Sequence, residues 1–257
     1  MSESRRISMR WSLVAVVYLL PMAAQAQDKG MPADFVSLRT VDASIRQDMR
    51  YAGDNNFTGH PLPGYDASEC LLQRPVALAL KRAQADLAAQ GLSLKVYDCY
   101  RPARAVAAMA RWAHAANVTP DTSRFYPRMK KSWLFELGFI ASHSAHSRGV
   151  AVDLTVVPKD GPPPAPYDTN VRYGSCAGPA AARAPDDSLD MGTSFDCFSV
   201  RSYTRNASIT AEQRARRMVL LQAMARHGFV NYKREWWHFS YPAADPRAAY
   251  DVPIGAR

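Results

Sequence analysis

Two short stretches, far apart in the chain, carry side chains that could hold a metal ion and put it to work. The first is Ser144-Ala145-His146-Ser147-Arg148-Gly149-Val150-Ala151-Val152-Asp153, and the second is Glu235-Trp236-Trp237-His238. His146, Asp153 and His238 offer two imidazoles and one carboxylate. That donor set suits a four-coordinate catalytic zinc, one per chain, that keeps a position open for water. Glu235, three residues before the last donor, is left free to act as a base on that water. Each residue taken singly has a plainer role: a satisfied core histidine, a strand-end cap at Asp153, a surface charge at Glu235, core aromatics at Trp236 and Trp237. The combination of two compact motifs, each with a histidine and a carboxylate, is what raises the metal reading above these.

The spacing says what the backbone must do. His146 and Asp153 are too far apart for one helical turn, but a turn followed by a strand brings both to one point, and Gly149 permits the tight backbone such a turn needs. Glu235 and His238 are an odd number of residues apart, which on a strand sends them to opposite faces. A bend or bulge is required there, or Glu235 must approach from the side. Asp153 and Glu235 are 82 positions apart in the sequence, so only the fold can join the halves. The other histidines, His60, His114, His143 and His227, read as structural or surface residues, with His227 at a helix C-terminus where a partly positive ring suits the dipole.

The elements that must position these groups follow from periodicity. Residues 27–70 are rich in turn-forming clusters such as Asp54-Asn55-Asn56 and Pro61-Leu62-Pro63-Gly64. Val76, Leu80, Ala83 and Leu87 share one face of a helix expected over 75–90 and stopped by Gly91. Residues 92–97 alternate like a strand. A second helix is expected from about Pro102, with Val106, Met109, Trp112 and Ala113 inward. The apolar run 133–140 has no firm assignment. Residues 149–157 read as a buried strand carrying Asp153, and 158–173 as a loop. Thr210-Ala211-Glu212-Gln213 is a capping box opening a helix that ends at Gly228. Residues 229–232 and 235–241 read as a terminal pair of strands. No repeat or linker divides the chain after residue 27, which predicts one α+β domain over 27–257.

The chain has 257 residues, 47% of them hydrophobic, and a formal charge of +9, enough apolar content for a sizeable core. Residues 1–26 read as a secretory signal peptide: Arg5, Arg6 and Arg10 precede an apolar run from Trp11 to Leu20, and Ala24-Gln25-Ala26 has the small-x-small cleavage pattern. The run is short for a retained membrane anchor, the alternative. Ser4-Arg5-Arg6 resembles a twin-arginine signal, but Ile7, Ser8 and Met9 fit it poorly, so the export route stays open. Cleavage before Gln27 takes away three arginines and one glutamate and leaves +7. The densest basic run, Arg214-Ala215-Arg216-Arg217, falls in a predicted helix and reads as a solvated face, not a nucleic-acid surface. Four cysteines in an exported chain favour disulfides over a cysteine metal site, since no pair has C-x-x-C spacing. Of three pairings, Cys70–Cys99 and Cys176–Cys197 each close a modest loop of neighbouring elements.

The residues also resemble a known family. Ser144-x-His146-x-x-Gly149-x-Ala151-x-Asp153 with Glu235-x-Trp237-His238 is similar to the zinc D-alanyl-D-alanine dipeptidases of the VanX type. Asp48-Met49-Arg50-Tyr51-Ala52 followed by Asn56-Phe57-Thr58-Gly59 resembles their N-terminal stretch, Asp98-Cys99-Tyr100-Arg101-Pro102 their arginine motif, and Met191-Gly192-Thr193-Ser194-Phe195-Asp196 their pocket wall. The zinc motifs are shared with related carboxypeptidases, whereas the N-terminal and pocket-wall stretches are more specific. Together they run from about residue 36 to 250.

The resemblance implies a central antiparallel sheet flanked by helices, as in hedgehog and D,D-peptidase folds, and a dipeptide substrate, D-Ala-D-Ala. It implies that His146, Asp153 and His238 bind zinc and that Glu235 is the general base and later the proton donor to the leaving amine. It assigns Arg101 to the oxyanion, Asp196 and Tyr51 to the substrate ammonium, and Ser144 to the carboxylate end or nearby backbone. Two features depart from cytoplasmic relatives: cysteines beside the arginine and aspartate motifs, and the export signal. A periplasmic or secreted enzyme reaches dipeptide released from wall turnover, which suggests scavenging or remodelling. Two other readings are a D,D-carboxypeptidase that trims longer wall peptides and a non-catalytic wall-binding module.

Overall fold

A computed structural model of the chain describes residues 30–116, 119–245 and 248–255. The expected signal peptide, residues 1–26, lies outside the described residues. Among the described residues no helix is long and apolar enough to cross a membrane.

Apolar residues at helical spacing build the first long helix. After the short segments β1 (Phe35–Ser37), α1 (Leu38–Val41), β2 (Arg46–Gln47) and β3 (Leu71–Gln73), helix α2 runs Arg74–Ala88 and buries Val76, Leu80, Ala83 and Leu87 as expected. Pro75 in its first turn costs no hydrogen bond, because the N–H it lacks would have no partner there. Strand β4 (Leu92–Asp98), helix α3 (Ala103–His114) and strand β5 (Ala151–Pro158) follow. Helix α4 (Ala211–Arg226) opens on the expected capping box: the Thr210 hydroxyl accepts from Gln213 N and the Gln213 side chain accepts from Thr210 N. Strands β6 (Val230–Asn231) and β7 (His238–Ser240) close the fold.

Five strands form one sheet in the order β2-β4-β5-β7-β6. Only its edge pair β2–β4 is parallel; β4–β5, β5–β7 and β6–β7 are antiparallel. Helix α2 packs on β4 and on α4, and one buried cluster runs from Phe35 through the sheet to Phe239 and Ile254. This is the single α+β domain expected, with the small β1–β3 ribbon beside the main sheet.

The terminal strands are shorter than periodicity predicts. Residues 235–237 turn instead of extending, because Glu235 N donates to Tyr232 O and His238 N to Glu235 O. The Asn231 amide secures the turn by donating to the carbonyls of Glu235 and His238. The apolar run 133–140 makes no strand; a one-turn 3-10 helix over Lys131–Trp133 leads into successive turns. Both disulfides join the expected partners, Cys70–Cys99 and Cys176–Cys197.

Arg217 belongs to the basic run expected to be a solvated face, yet it is buried in α4. It donates to the carbonyls of Met191, Tyr203 and Arg201 at 2.7, 2.7 and 2.9 Å. Burial, reinforced by Arg201 and Arg183, pulls its pKa down to about 9. The arginine therefore ties the loop carrying Asp196 to α4 through backbone acceptors alone. Arg217→Met would leave the Met191 and Arg201 carbonyls without a donor, while the Tyr203 carbonyl would keep Asn206 N, and we expect a stability loss of about 2–5 kcal/mol. Urea denaturation measures it, and a loss below about 1 kcal/mol would contradict this account.

Candidate active site

Strand pairing brings the distant motifs together. In register, Asp98 on β4 stands opposite Asp153 on β5, and Asp153 stands opposite His238 on β7. Directly opposed residues of antiparallel strands project from the same face, so one row across three strands presents two carboxylates and an imidazole. His146 joins them from a 3-10 turn, His146–Arg148, just before β5. The turn is closed by Gly149 at φ 69°, and a Cβ there would lie 2.4 Å from the Phe35 ring. Both the left-handed backbone and the close ring demand glycine.

The three donor atoms converge. His146 Nε2 lies 3.1 Å from His238 Nδ1 and 3.3 Å from Asp153 Oδ1, and His238 Nδ1 lies 3.0 Å from the same oxygen. Four bonds of about 2.0–2.1 Å in a tetrahedron separate the ligand atoms by about 3.3 Å, so the donor set fits a zinc-sized cation. The neighbours also fit. His146 Nδ1 donates to the Cys99 carbonyl at 2.7 Å, which fixes the ring and leaves Nε2 with its lone pair toward the cluster. Burial lowers the His238 pKa and favours the neutral ring a metal needs. For Asp153 burial alone would raise the pKa, but His146 and His238 together hold it below the usual range.

Glu235 is buried beside the cluster, with Oε2 4.0 Å from His238 Nδ1. The bend at 235–237 is what lets both side chains reach one point. Burial pushes its carboxyl well above the usual range, and the nearby Asp153 and Asp196 push the same way. A carboxyl so perturbed in a cleft is what proton transfer near neutral pH requires.

Arg101 faces the cluster, with Nη2 3.5 Å from Asp153 Oδ2 and the guanidinium 5.0 Å from the Tyr51 ring centre. Asp98 holds it: Oδ2 accepts from Arg101 Nε at 2.9 Å and lies 3.3 Å from His146 Nδ1, while Oδ1 accepts from Tyr65 at 2.5 Å. Burial works most strongly against the Arg101 charge, but Asp98, Tyr51, Tyr65 and Asp153 together more than offset it. Sequence reasoning assigns Asp98 no role. Its signal is the position three residues before Arg101 at a strand end, which cannot be separated from an ordinary cap without the fold. Arg101→Met is expected to lower kcat by roughly 10²–10³-fold with little change in metal content, as when one oxyanion donor is lost. Single-turnover rates on zinc-loaded protein check this; a loss below tenfold removes Arg101 from that role.

Tyr51 and Asp196 also line the cleft, and the Tyr51 hydroxyl donates to Asp196 Oδ2 at 2.7 Å. Asp196 is buried and adopts φ 54°, unusual for a non-glycine residue. Burial raises its pKa strongly, and Asp153 adds to the shift. The cavity measures about 250 Å³ and is also lined by Ser144, Phe139 and Trp237. The Ser144 hydroxyl accepts from His146 N at 3.2 Å. Of the other histidines, His143 is exposed at the cavity edge, while His60 contacts the Thr119 carbonyl, His114 stacks on Phe135 and His227 pairs with Asp86 at the end of α4. The buried Trp236 and Trp237 are core aromatics.

The D-ala-D-ala dipeptidase family model matches residues 31–165 and 184–254. The chain belongs to this family. Relatives named D-alanyl-D-alanine dipeptidase occur in Enterococcus faecalis (strain ATCC 700802 / V583), at 32% identity over 81% of this chain and 92% of the relative, and in Streptomyces coelicolor, at 32% over 87% of this chain and the whole relative. A third, from Escherichia coli (strain K12), is 28% identical over 82% of this chain and 86% of the relative. Residues 166–183 fall between the two matched stretches, so this D-ala-D-ala dipeptidase family member carries there a segment the family model does not describe.

Proposed function

We propose that the protein is a zinc-dependent dipeptidase that hydrolyses D-Ala-D-Ala to two D-alanines in the cell envelope. The observation that carries this is the convergence of His146, Asp153 and His238 next to a free buried Glu235, in a cavity that Tyr51 and Asp196 also line. His146, Asp153 and His238 would hold the zinc, which supplies Lewis acidity and brings the pKa of water down to about 7.

The side chains do the rest. Glu235 takes a proton as water attacks the scissile carbonyl carbon, and the same proton passes to the amine nitrogen as the C–N bond breaks. Arg101 donates to the oxygen on which negative charge develops. Tyr51 and Asp196 receive the substrate ammonium, whose charge favours the ionised Asp196 that burial opposes. Ser144 faces the carboxylate end. The cavity is sized for a dipeptide, which favours this reading over a carboxypeptidase acting on longer peptides.

The test compares D-Ala-D-Ala with its N-acetylated form on zinc-loaded protein. Acetylation removes the charge that meets Asp196, and we expect hydrolysis at least roughly 100-fold slower. Equal rates would replace the dipeptidase reading by a D,D-carboxypeptidase. We further propose export after cleavage near Ala26, which the two disulfides support; a periplasmic or secreted protein that begins at Gln27 is the expected result of fractionation and N-terminal sequencing. The substrate in that setting is dipeptide released from wall turnover.

A further inference from the structure

A second cavity, of about 920 Å³, shares no lining residue with the catalytic one. One wall comes from residues 120–129 and the loop at 54–59, and the other from Tyr167 to Ser175, which lies in the segment outside the family match. This wall is fastened on two sides. Cys176 N donates to the Arg124 carbonyl at 2.9 Å, Ser194 N donates to the Cys176 carbonyl at 2.9 Å, and Cys176 is disulfide-bonded to Cys197. The cavity is therefore a built feature of this chain.

Arg124 is its charged centre. The guanidinium is half-buried among rings, 4.0 Å from the centre of Phe125, 5.6 Å from Tyr167 and 5.9 Å from Tyr173. Its Nη2 donates to Asn55 Oδ1 at 2.9 Å, and the Tyr167 hydroxyl is a further partner. A guanidinium carries five N–H donors, so donors remain, and among the described residues no carboxylate pairs with it. Burial pulls its pKa below the ordinary value, so an anion at this point would be stabilised. Asp54 lines the same cavity, and among the described residues its carboxylate has no ion pair either. The remaining charges, Arg172 and Asp121, act on each other, and Asp121 Oδ1 already accepts from Ser123 N. Among the described residues the cavity thus presents one cation and one anion without an ion pair, and the two do not pair with each other.

We infer that this cavity binds a zwitterionic amino acid or short peptide, with its carboxylate on Arg124 and its ammonium toward Asp54. A planar guanidinium fork matches a carboxylate, the tyrosine rings give the ligand body an apolar floor, and the Asp54 and Asp121 carboxylates disfavour a compact dianion such as phosphate. This inference does not rest on the proposed hydrolysis.

The experiment uses the zinc-loaded full protein and D-alanine, a zwitterion with no peptide bond to cut. Hydrogen exchange is expected to show ligand-dependent protection at 122–126 and 167–175. Arg124→Met should weaken D-alanine binding at least tenfold and Asp54→Asn severalfold, with N-acetyl-D-alanine and inorganic phosphate both weaker than D-alanine. Turnover of D-Ala-D-Ala by both variants should stay within twofold of the parent. Protection confined to 139–146 and 235–238 would overturn the inference even if Arg124→Met failed to fold. Equal binding of phosphate with no effect of Asp54→Asn would overturn the zwitterion assignment. A protein that cuts no dipeptide but shows Arg124-dependent protection would keep this site and reject the proposed hydrolysis, so the two failures are distinguishable.

Discussion

Glu235→Ala is expected to abolish turnover, lowering kcat by about 10³-fold or more, while zinc stays bound in stoichiometric amount. The carboxylate lies 4.0 Å from His238 Nδ1 and outside the three-atom cluster, so its removal costs no ligand. Nor does it leave a partner unsatisfied, because no hydrogen bond to that carboxylate occurs among the described residues. The variant carries a second signature. In metal-free protein burial raises the Glu235 pKa above its ordinary 4.5, with Asp153 and Asp196 adding to the effect. A raised folded-state pKa means that the folded chain binds the extra proton, so stability is fully present below pH 4.5 and is lost as pH rises from there through the folded pKa. Metal-free Glu235→Ala should therefore lose less stability than the parent between about pH 5 and 8. Metal analysis, kinetics and thermal melts at the two pH values check all three expectations. Near-normal rates in the purified variant would remove Glu235 from the base role.

His238→Ala should lose both metal and activity. It deletes one of three donors and leaves Asp153 Oδ1 with His146 as its only close imidazole. Two ligands do not hold zinc as three do; outer-shell losses alone weaken binding by about 10–100-fold, and loss of a direct ligand should exceed about 10³-fold. Dialysis followed by elemental analysis reads the metal, and assays with added zinc read the activity. The contrast with Glu235→Ala is the informative part. If His238→Ala kept stoichiometric zinc, the metal site would lie elsewhere, and if it kept activity without metal, the zinc mechanism would fall.

Part of the fold and of the site is legible in the sequence. The capping box at Thr210 and the stripe Val76, Leu80, Ala83 and Leu87 are local patterns, and each forms the helix it foretells. The donor types at His146, Asp153 and His238, and the glycine that closes the turn leading into β5, are equally visible there. The strand expected over 235–241 forms only at its end, because alternation competes with a turn secured by the Asn231 amide. Arg217 reads as a surface residue but is buried, since its partners are carbonyls 14 to 26 residues away that leave no mark on its own neighbours.

The amino-acid sequence by itself determined which groups could bind a metal or move a proton and where short helices and strands begin, because side-chain chemistry and backbone preference act within a few residues. Tertiary structure alone decided that Asp98, Asp153 and His238 share one row, that Asp98 holds Arg101, and that Arg124 and Asp54 face one cavity with no ion pair among the described residues. Those facts depend on strand register and loop packing between segments far apart in the chain, and an ångström of register is set by the whole core rather than by any one motif.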